Sequence, residues 1–545
     1  MNASMTRHQI TAALVIGFIV GWVLLPGLAI AQQAAHLPAH AATEPAASAE
    51  VESPSQQAGA GHGVAEHDSS EEHDISHAHE AEGHTDHDGH EAQGHGSHEA
   101  PSLIAVVPFA ALLLCIAILP LIHRTEHWWH KNKNKFLVAA ILAAITLAYY
   151  LLRGTGFHAE PGLPSVLKIL GHAVLAEYVP FIVLLFSLYT ISGGIQLRGD
   201  LEAKPMTNVA FLATGAALAS FIGTTGASML LIRPLLQTNQ ERKYVKHTVI
   251  FFIFLVSNIG GCLLPIGDPP LFLGYLYGVP FLWTFGLWKE WVFCCALLLV
   301  IYWIWDTILY KKEPPLDHLL DEVHVEPLRV RGLLNFVWLL GVVLSVALLV
   351  PGKPFLGKFF MVPDYLREAA QLGFVAIAWV TSSAKIREEN KFDFFAIIEV
   401  AALFIGIFIT MQVPVEILNT KGPELGLDEP WQFFWATGIL STFLDNAPTY
   451  VVYFQTAGTL TPDGMDLMGN VQTALTTIPI PLLIAVSLGA VFMGANSYIG
   501  NGPNFMVKSI AEQSGVKMPS FFGYMLYSCT ILIPIFVVVM LIFLL

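Results

Sequence analysis

From residue 103 to Leu545 the chain is a succession of apolar stretches, many longer than the roughly 18 residues at which a run reads as a membrane-crossing helix. Composition agrees: 54% of residues are hydrophobic and 13% charged, where a soluble domain carries about 25% charged residues. The mean hydropathy is +0.59. The pattern predicts an all-α polytopic membrane protein.

The runs fall into two similar series. Spans are expected near 103–122, 136–152 and 172–192, an interrupted stretch at 206–234, and spans near 247–274 and 287–310. A polar linker at 311–332 holds Pro314, Pro315 and Pro327. The order then repeats, with spans near 333–350, 366–384 and 394–413, an interrupted stretch at 430–455, and spans near 478–507 and 519–545. Residues 103–310 and 333–545 therefore read as two repeats, with ten spans and two re-entrant hairpins.

Charge sets the orientation. The loop from His123 to Lys135 carries Arg124, Lys131, Lys133 and Lys135 and is expected to be cytoplasmic. The stretch 206–234 has basic residues on both sides: Arg198 and Lys204 before it, Arg233, Arg242, Lys243 and Lys246 after. It enters from the cytoplasm and turns back. The stretch 430–455 has Glu424, Asp428 and Glu429 on one side and Asp463 and Asp466 on the other, so it opens to the periplasm. With this inverted arrangement the cytoplasmic loops hold 19 Lys and Arg, about three times what the periplasmic loops hold. His247 and Arg233 then read as residues near cytoplasmic helix ends, and Asp306 as interfacial.

The hairpin tips read Ser220-Phe-Ile-Gly-Thr-Thr-Gly-Ala-Ser228 and Ser441-Thr-Phe-Leu-Asp-Asn-Ala-Pro-Thr449. Each is followed by a span broken by Gly and Pro, Ser257 to Pro270 and Gly494 to Asn504. The breaks align: Ile266-Gly-Asp-Pro-Pro-Leu-Phe272 and Ile499-Gly-Asn-Gly-Pro-Asn-Phe505 share four of seven positions. Matching interruptions in two halves point to a transporter's binding site. A broken helix frees backbone groups that are tolerated at membrane depth only in protein or beside a wet cavity. Those carbonyls, with the side-chain oxygens of Thr224, Thr225, Asn258, Asn446, Asn496 and Asn501, suit a small hard cation.

Asp268 and Asp445 lie inside these interruptions. An acid at the bilayer midplane costs about 2.5–3.5 kcal/mol on insertion scales and is seldom idle. Two acids without Lys or Arg in the same motifs favour a cation, and either carboxylate can exchange it for a proton. The structural reading of each is a cap on a half-helix N-terminus. Glu177 and Glu399 occupy equivalent places in the third spans, with Phe186 and Phe408 at matching spacing, and are second-tier candidates for a proton path. The five cysteines all sit in apolar segments and read as small buried residues.

The segments Ser257–Pro270, with Asn258 and Gly267-Asp268, and Phe443–Thr449, with Asp445-Asn446, resemble signatures of the ion transporter superfamily. That group includes citrate-transporter-like proteins and the NhaD-type sodium/proton antiporters, and residues of about 103–545 are most similar to the antiporter branch. The sodium/dicarboxylate branch carries Ser-Asn-Thr at its tips, and neither tip here does. The resemblance implies exchange of Na⁺ or Li⁺ for H⁺ across a bacterial inner membrane, and a homodimer. The rivals are a Na⁺-coupled citrate or dicarboxylate symporter and a divalent-metal exporter. No nucleophile or nucleotide-binding loop suggests an enzyme, no cofactor is expected, and no basic patch suggests nucleic acid. The partners are membrane lipid and small ions.

The N-terminal hundred residues are of another kind. Residues 1–31 read as a signal peptide, with Arg7, an apolar run and Ala29-Ile30-Ala31. Residues 32–100 hold 12 of the 21 histidines and 14 acids with no Lys or Arg, which accounts for nearly all of the net charge of −15. Such a segment is expected to be disordered and periplasmic. Its histidines, His77, His79, His84, His87 and His90 among them, are candidate ligands for Zn²⁺.

Overall fold

The computed structural model describes residues 101–545, apart from 121, 154–160, 316–320, 322–324, 356–359, 461–469 and 473–476. The expected signal peptide, residues 1–31, and the histidine-rich residues 32–100, with His77, His79, His84, His87 and His90, lie outside the described residues.

The first half runs through α1 (Val107–Ile118) and α2 (Asn132–Leu152) to a long composite span. That span joins α3 (Leu163–Leu170), a π-helical segment (Gly171–Tyr178) and α4 (Val179–Ser192). After strand β1 (Gln196–Asp200) comes a hairpin of α5 (Pro205–Ile222) and α6 (Thr224–Thr238). The broken span follows, as α7 (Lys246–Leu255) and α8 (Pro269–Leu276), and then α9 (Trp288–Tyr310). Strand β2 (Glu326–Arg331) leads into the second half. There α10 (Leu334–Leu348), α11 (Leu366–Thr381), α12 (Phe395–Thr410) and α13 (Gln412–Lys421) precede the second hairpin, α14 (Pro430–Phe443) and α15 (Asn446–Gly458). The second broken span is α16 (Ile480–Met493) and α17 (Gly502–Gln513), and α18 (Phe521–Phe543) closes the chain. Seven of the described helical runs are long and apolar enough to cross a membrane, and three shorter ones are also apolar. The protein is an all-α polytopic membrane protein, its two halves following the same order of spans, hairpin and broken span.

Local chemistry places the breaks. Pro205, Pro269, Pro430 and Pro503 sit in the first turns of their helices, where the missing N–H has no partner to lose. Gly223 reverses the first hairpin in one residue at φ +79°, a conformation L-residues rarely adopt. Glu429 and Gln432 form a capping box that starts α14.

Packing exchanges partners between the halves. Helix α2 lies on α12, and α4 lies on α10 and α11. The hairpins and broken helices form a second group, in which α6 meets α17 and α8 meets α15. Each half's hairpin is therefore closed by the other half's broken span.

Four features differ from the sequence reading. The third span of the second half does not end near 413: α13 carries it to Lys421, because Glu416 is held by Tyr150 (2.7 Å) and Arg153 (2.8 Å) rather than by water. The span expected at 478–507 runs on to Gln513. The linker is not bare, since β2 pairs antiparallel with β1, Gln196 opposite Arg331, and fastens the second half to the end of the first half's third span. Asp306 is not interfacial. It is fully buried, bonded by Nη2 and Nη1 of Arg242 (2.7 and 3.1 Å) and by His247 Nε2 (2.8 Å). The linker residue Glu313 accepts from the backbone N–H groups of Lys243 and Tyr244, which draws the linker onto the base of the first hairpin.

Candidate functional site

Four chain segments that the sequence singled out meet at one carboxylate. Asp268, 1% exposed, is the N-cap residue of α8. Its Oδ1 accepts from the Thr224 hydroxyl at the first hairpin tip (2.9 Å) and from Asn501 Nδ2 in the second break (3.0 Å). Its Oδ2 accepts from Asn446 Nδ2 at the second hairpin tip (2.5 Å). The donors come from positions 44 to 233 residues away, so only the folded pair of repeats assembles them.

The halves match in detail. Ser220 donates to the Gly260 carbonyl, and Thr442, 222 residues later, donates to that of Met493. Thr224 and Asn446 open their helices at the same offset. In the breaks the offset is 233: Gly267 packs on the Gly261 carbonyl as Gly500 packs on that of Gly494, leaving no room for a side chain at either. Asp268 and Asn501 are equivalent N-cap residues in this frame. One repeat supplies a charge and the other a neutral amide.

Around the carboxylate lies a set of buried oxygens whose orientation the network fixes. Asn504 Nδ2 donates to the carbonyls of Gly494 and Ser497 (both 2.9 Å). Its Oδ1 therefore faces Asn258 and accepts from Asn258 Nδ2 (2.7 Å), which also donates to the Ile253 carbonyl (2.7 Å). Both acceptors hold the Asn258 amide one way round. Its Oδ1 is left buried without a hydrogen-bond partner, as are Oδ1 of Asn446 and Oδ1 of Asn496. Such orphans are uncommon and each calls for an explanation, an ion among them. A Cβ on Gly494 would stand 3.2 Å from Asn258 Oδ1 and 3.6 Å from Asn446 Nδ2, so these two amides flank the same small space. Unpaired amide oxygens beside a carboxylate are the donor set of a small hard cation.

The remaining predicted residues are not hydrogen-bond partners of Asp268, although Asp445 is the chain neighbour of Asn446. Asp445 is the N-cap residue of α15, and its Oδ1 accepts from Ala447 N (3.1 Å). Thr225 is half-buried behind Thr224. Asn496 donates to Thr442 Oγ1 (3.1 Å). Glu177 and Glu399 share a sequence position between repeats but not an environment. Glu177 is buried with neutral partners, whereas Glu399 pairs with Lys135 (2.6 Å). Asn504, Ser220 and Thr442 were not among the predicted ligands. For Ser220 and Thr442 the signal was their place four residues ahead of Thr224 and Asn446, and for Asn504 its place in the second break, three residues after Asn501.

Two matching halves whose hairpin tips and broken helices meet on a buried acid are the arrangement of a secondary transporter. A family model described as "Putative citrate transport" matches residues 98–544, and the chain belongs to that family, of the citrate-transporter type. No curated protein matches the chain.

Proposed function

We propose that the protein exchanges Na⁺ or Li⁺ for H⁺ across a bacterial inner membrane, with residues 32–100 on the periplasmic side after removal of residues 1–31. The observation that carries the reading is the pairing of Asp268 with the unpartnered oxygens of Asn258 and Asn446. A cation takes up those oxygens and the carboxylate charge, and a proton on Asp268 excludes it. The N-termini of α6, α8, α15 and α17 lie at the same point, and their dipoles offset part of the cost of a buried negative charge. The side chains that bond Asp268 are all neutral. Asn496 and Asn501 hold the tips in register, Thr225 lies beside Thr224 as a further neutral oxygen, and Asp445 caps α15 at the site.

Fluorescence dequenching in proteoliposomes loaded with the full chain tests this. Addition of Na⁺ or Li⁺ is expected to collapse an imposed proton gradient, and absence of any response to either ion would sink the proposal. A second reading, Na⁺-coupled uptake of citrate or a dicarboxylate, is favoured by the family match. It predicts labelled citrate accumulation that requires Na⁺. Export of a divalent metal, the reading prompted by residues 32–100, predicts a gradient response to Zn²⁺ and none to Na⁺.

A further inference from the structure

Glu177 lies apart from the cation site, and its surroundings are built for a carboxylate. Its side chain is 5% exposed. Oε1 accepts from the Tyr277 hydroxyl (2.7 Å) and Oε2 from Gln412 Nε2 (3.0 Å). Three elements meet there. Glu177 sits on the π segment between α3 and α4, Gln412 begins α13 in the other repeat, and Tyr277 caps the C-terminus of α8. A π turn is rare and is often found at functional sites. At the equivalent place in the second half there is no π turn, since Glu399 sits in the regular helix α12 and turns to Lys135.

The charged groups facing this point are few. On its own element His172 stands with Nδ1 3.6 Å from Glu177 Oε1, and its side chain is 39% exposed, so it reaches toward solvent. From α13 the nearest acid is Glu416, held by Arg153 and Tyr150. From α11, Arg367 and Glu368 pair with each other (2.6 Å). From α12, Glu399 is paired with Lys135. Helix α15 contributes Tyr450 and Phe454, the latter stacked on Tyr277 at 5.5 Å. The partners that bond Glu177 are neutral, so a proton there changes the net charge of the cluster by one.

We propose that Glu177 is a second proton-binding carboxylate, and that its protonation is transmitted to the cation site through Tyr277 and helix α8. This rests on the exchange reading above. Ionised Glu177 accepts two hydrogen bonds. A proton delivered from solvent by way of His172 turns one of its oxygens into a donor. Gln412 cannot easily turn its amide, because Nε2 also donates to the Phe408 carbonyl (3.2 Å). Tyr277 must therefore turn its hydroxyl and surrender its acceptor. Tyr277 and Asp268 are the two caps of one eight-residue helix. At 1.5 Å rise per residue they lie about 13 Å apart. A change at the tyrosine end moves the carboxylate end as part of the same rigid rod. Glu177 is in this sense a positioning residue for Asp268.

The test uses the full chain, with Na⁺-dependent thermal shift in detergent and dequenching in proteoliposomes, both scanned across pH. In the wild type, apparent Na⁺ affinity rises with pH as protons leave Glu177, Asp268 and any neighbouring acid, such as Asp445, coupled to the ion, with a log–log slope above one by linkage. Glu177→Gln is expected to keep Na⁺ binding and to lower that slope by about one. Tyr277→Phe keeps the carboxylate and removes a donor to its ionised form, so the midpoint of the profile moves to alkaline pH by about tenfold in proton concentration. A wild-type slope in Glu177→Gln overturns the proposal. If that variant does not fold, an unmoved midpoint in Tyr277→Phe overturns it equally. Asp268→Asn separates the two readings: if it still binds Na⁺ as the wild type does, the cation site itself is wrongly placed, whatever Glu177 does.

Discussion

Replacing Asp268 by asparagine probes the site with almost no change of shape. The oxygen of the new amide goes on accepting from Thr224 and Asn501. The amide nitrogen then faces Asn446 Nδ2, where the carboxylate oxygen stood 2.5 Å away, donor against donor. Asn446 relieves the conflict by turning its own amide, and the oxygen that had no partner becomes the acceptor. One substitution thus removes the charge and uses up one neutral ligand. Two unit charges about 4 Å apart attract by about 4 kcal/mol at an effective dielectric of 20. That is about a thousandfold in Kd at 1.4 kcal/mol per decade. Stability responds less. Three hydrogen bonds lose charge assistance, but a buried charge no longer has to be desolvated, so the net change stays within about 2 kcal/mol. Thermal melts in detergent with and without Na⁺ measure both quantities, and dequenching reports exchange. The expected result is a folded protein with no Na⁺ shift and no exchange. A variant that binds Na⁺ within tenfold of the wild type would refute the assignment.

Asp445→Asn is expected to retain the cap on α15, stability and exchange, because Asn caps as well as Asp, while Asp445→Ala loses about 1 kcal/mol in a thermal melt. Gly494→Ala places a methyl group 3.2 Å from Asn258 Oδ1 and should weaken Na⁺ binding at least tenfold by the loss of one ligand, read by the same Na⁺ titration. Asp306→Asn leaves Arg242 buried without its main partner and is expected to cost about 3–5 kcal/mol in unfolding stability. Cysteines at Lys243 and Asp428, both exposed, should react with an impermeant thiol reagent from opposite sides of the membrane, and reaction from the same side would contradict the inverted arrangement.

Much of the site was legible because its elements interrupt an otherwise apolar pattern. Gly, Pro, Asn and Asp stand out in hydrocarbon-facing sequence, and their recurrence in two halves marked Asp268, Thr224, Asn446 and Asn501 before any contact was known. What stayed hidden depends on partners remote in the chain. Asp306 has the same local sequence whether it faces lipid headgroups or Arg242, 64 residues earlier. Glu177 and Glu399 look alike by spacing, and it is Lys135 on α2 and the π turn that set them apart. The β1–β2 pairing joins segments 135 residues apart at Gln196 and Arg331, too short and too polar for periodicity to reveal. The hairpin boundaries were found to within a few residues because prolines and glycines mark them.

The step in offset between the repeats, from 222 at the hairpin tips to 233 at the breaks, has a practical meaning. The second half has gained eleven residues between α15 and the second break, and the tips and breaks still superimpose in their bonding. The extra length falls where the small antiparallel ribbon Asn470–Gln472 and Thr477–Pro479 stands, ahead of α16. The centre is thus insensitive to the length of this connection, which makes the connection the natural address for an epitope tag, a fluorescent module or a fiducial for electron microscopy.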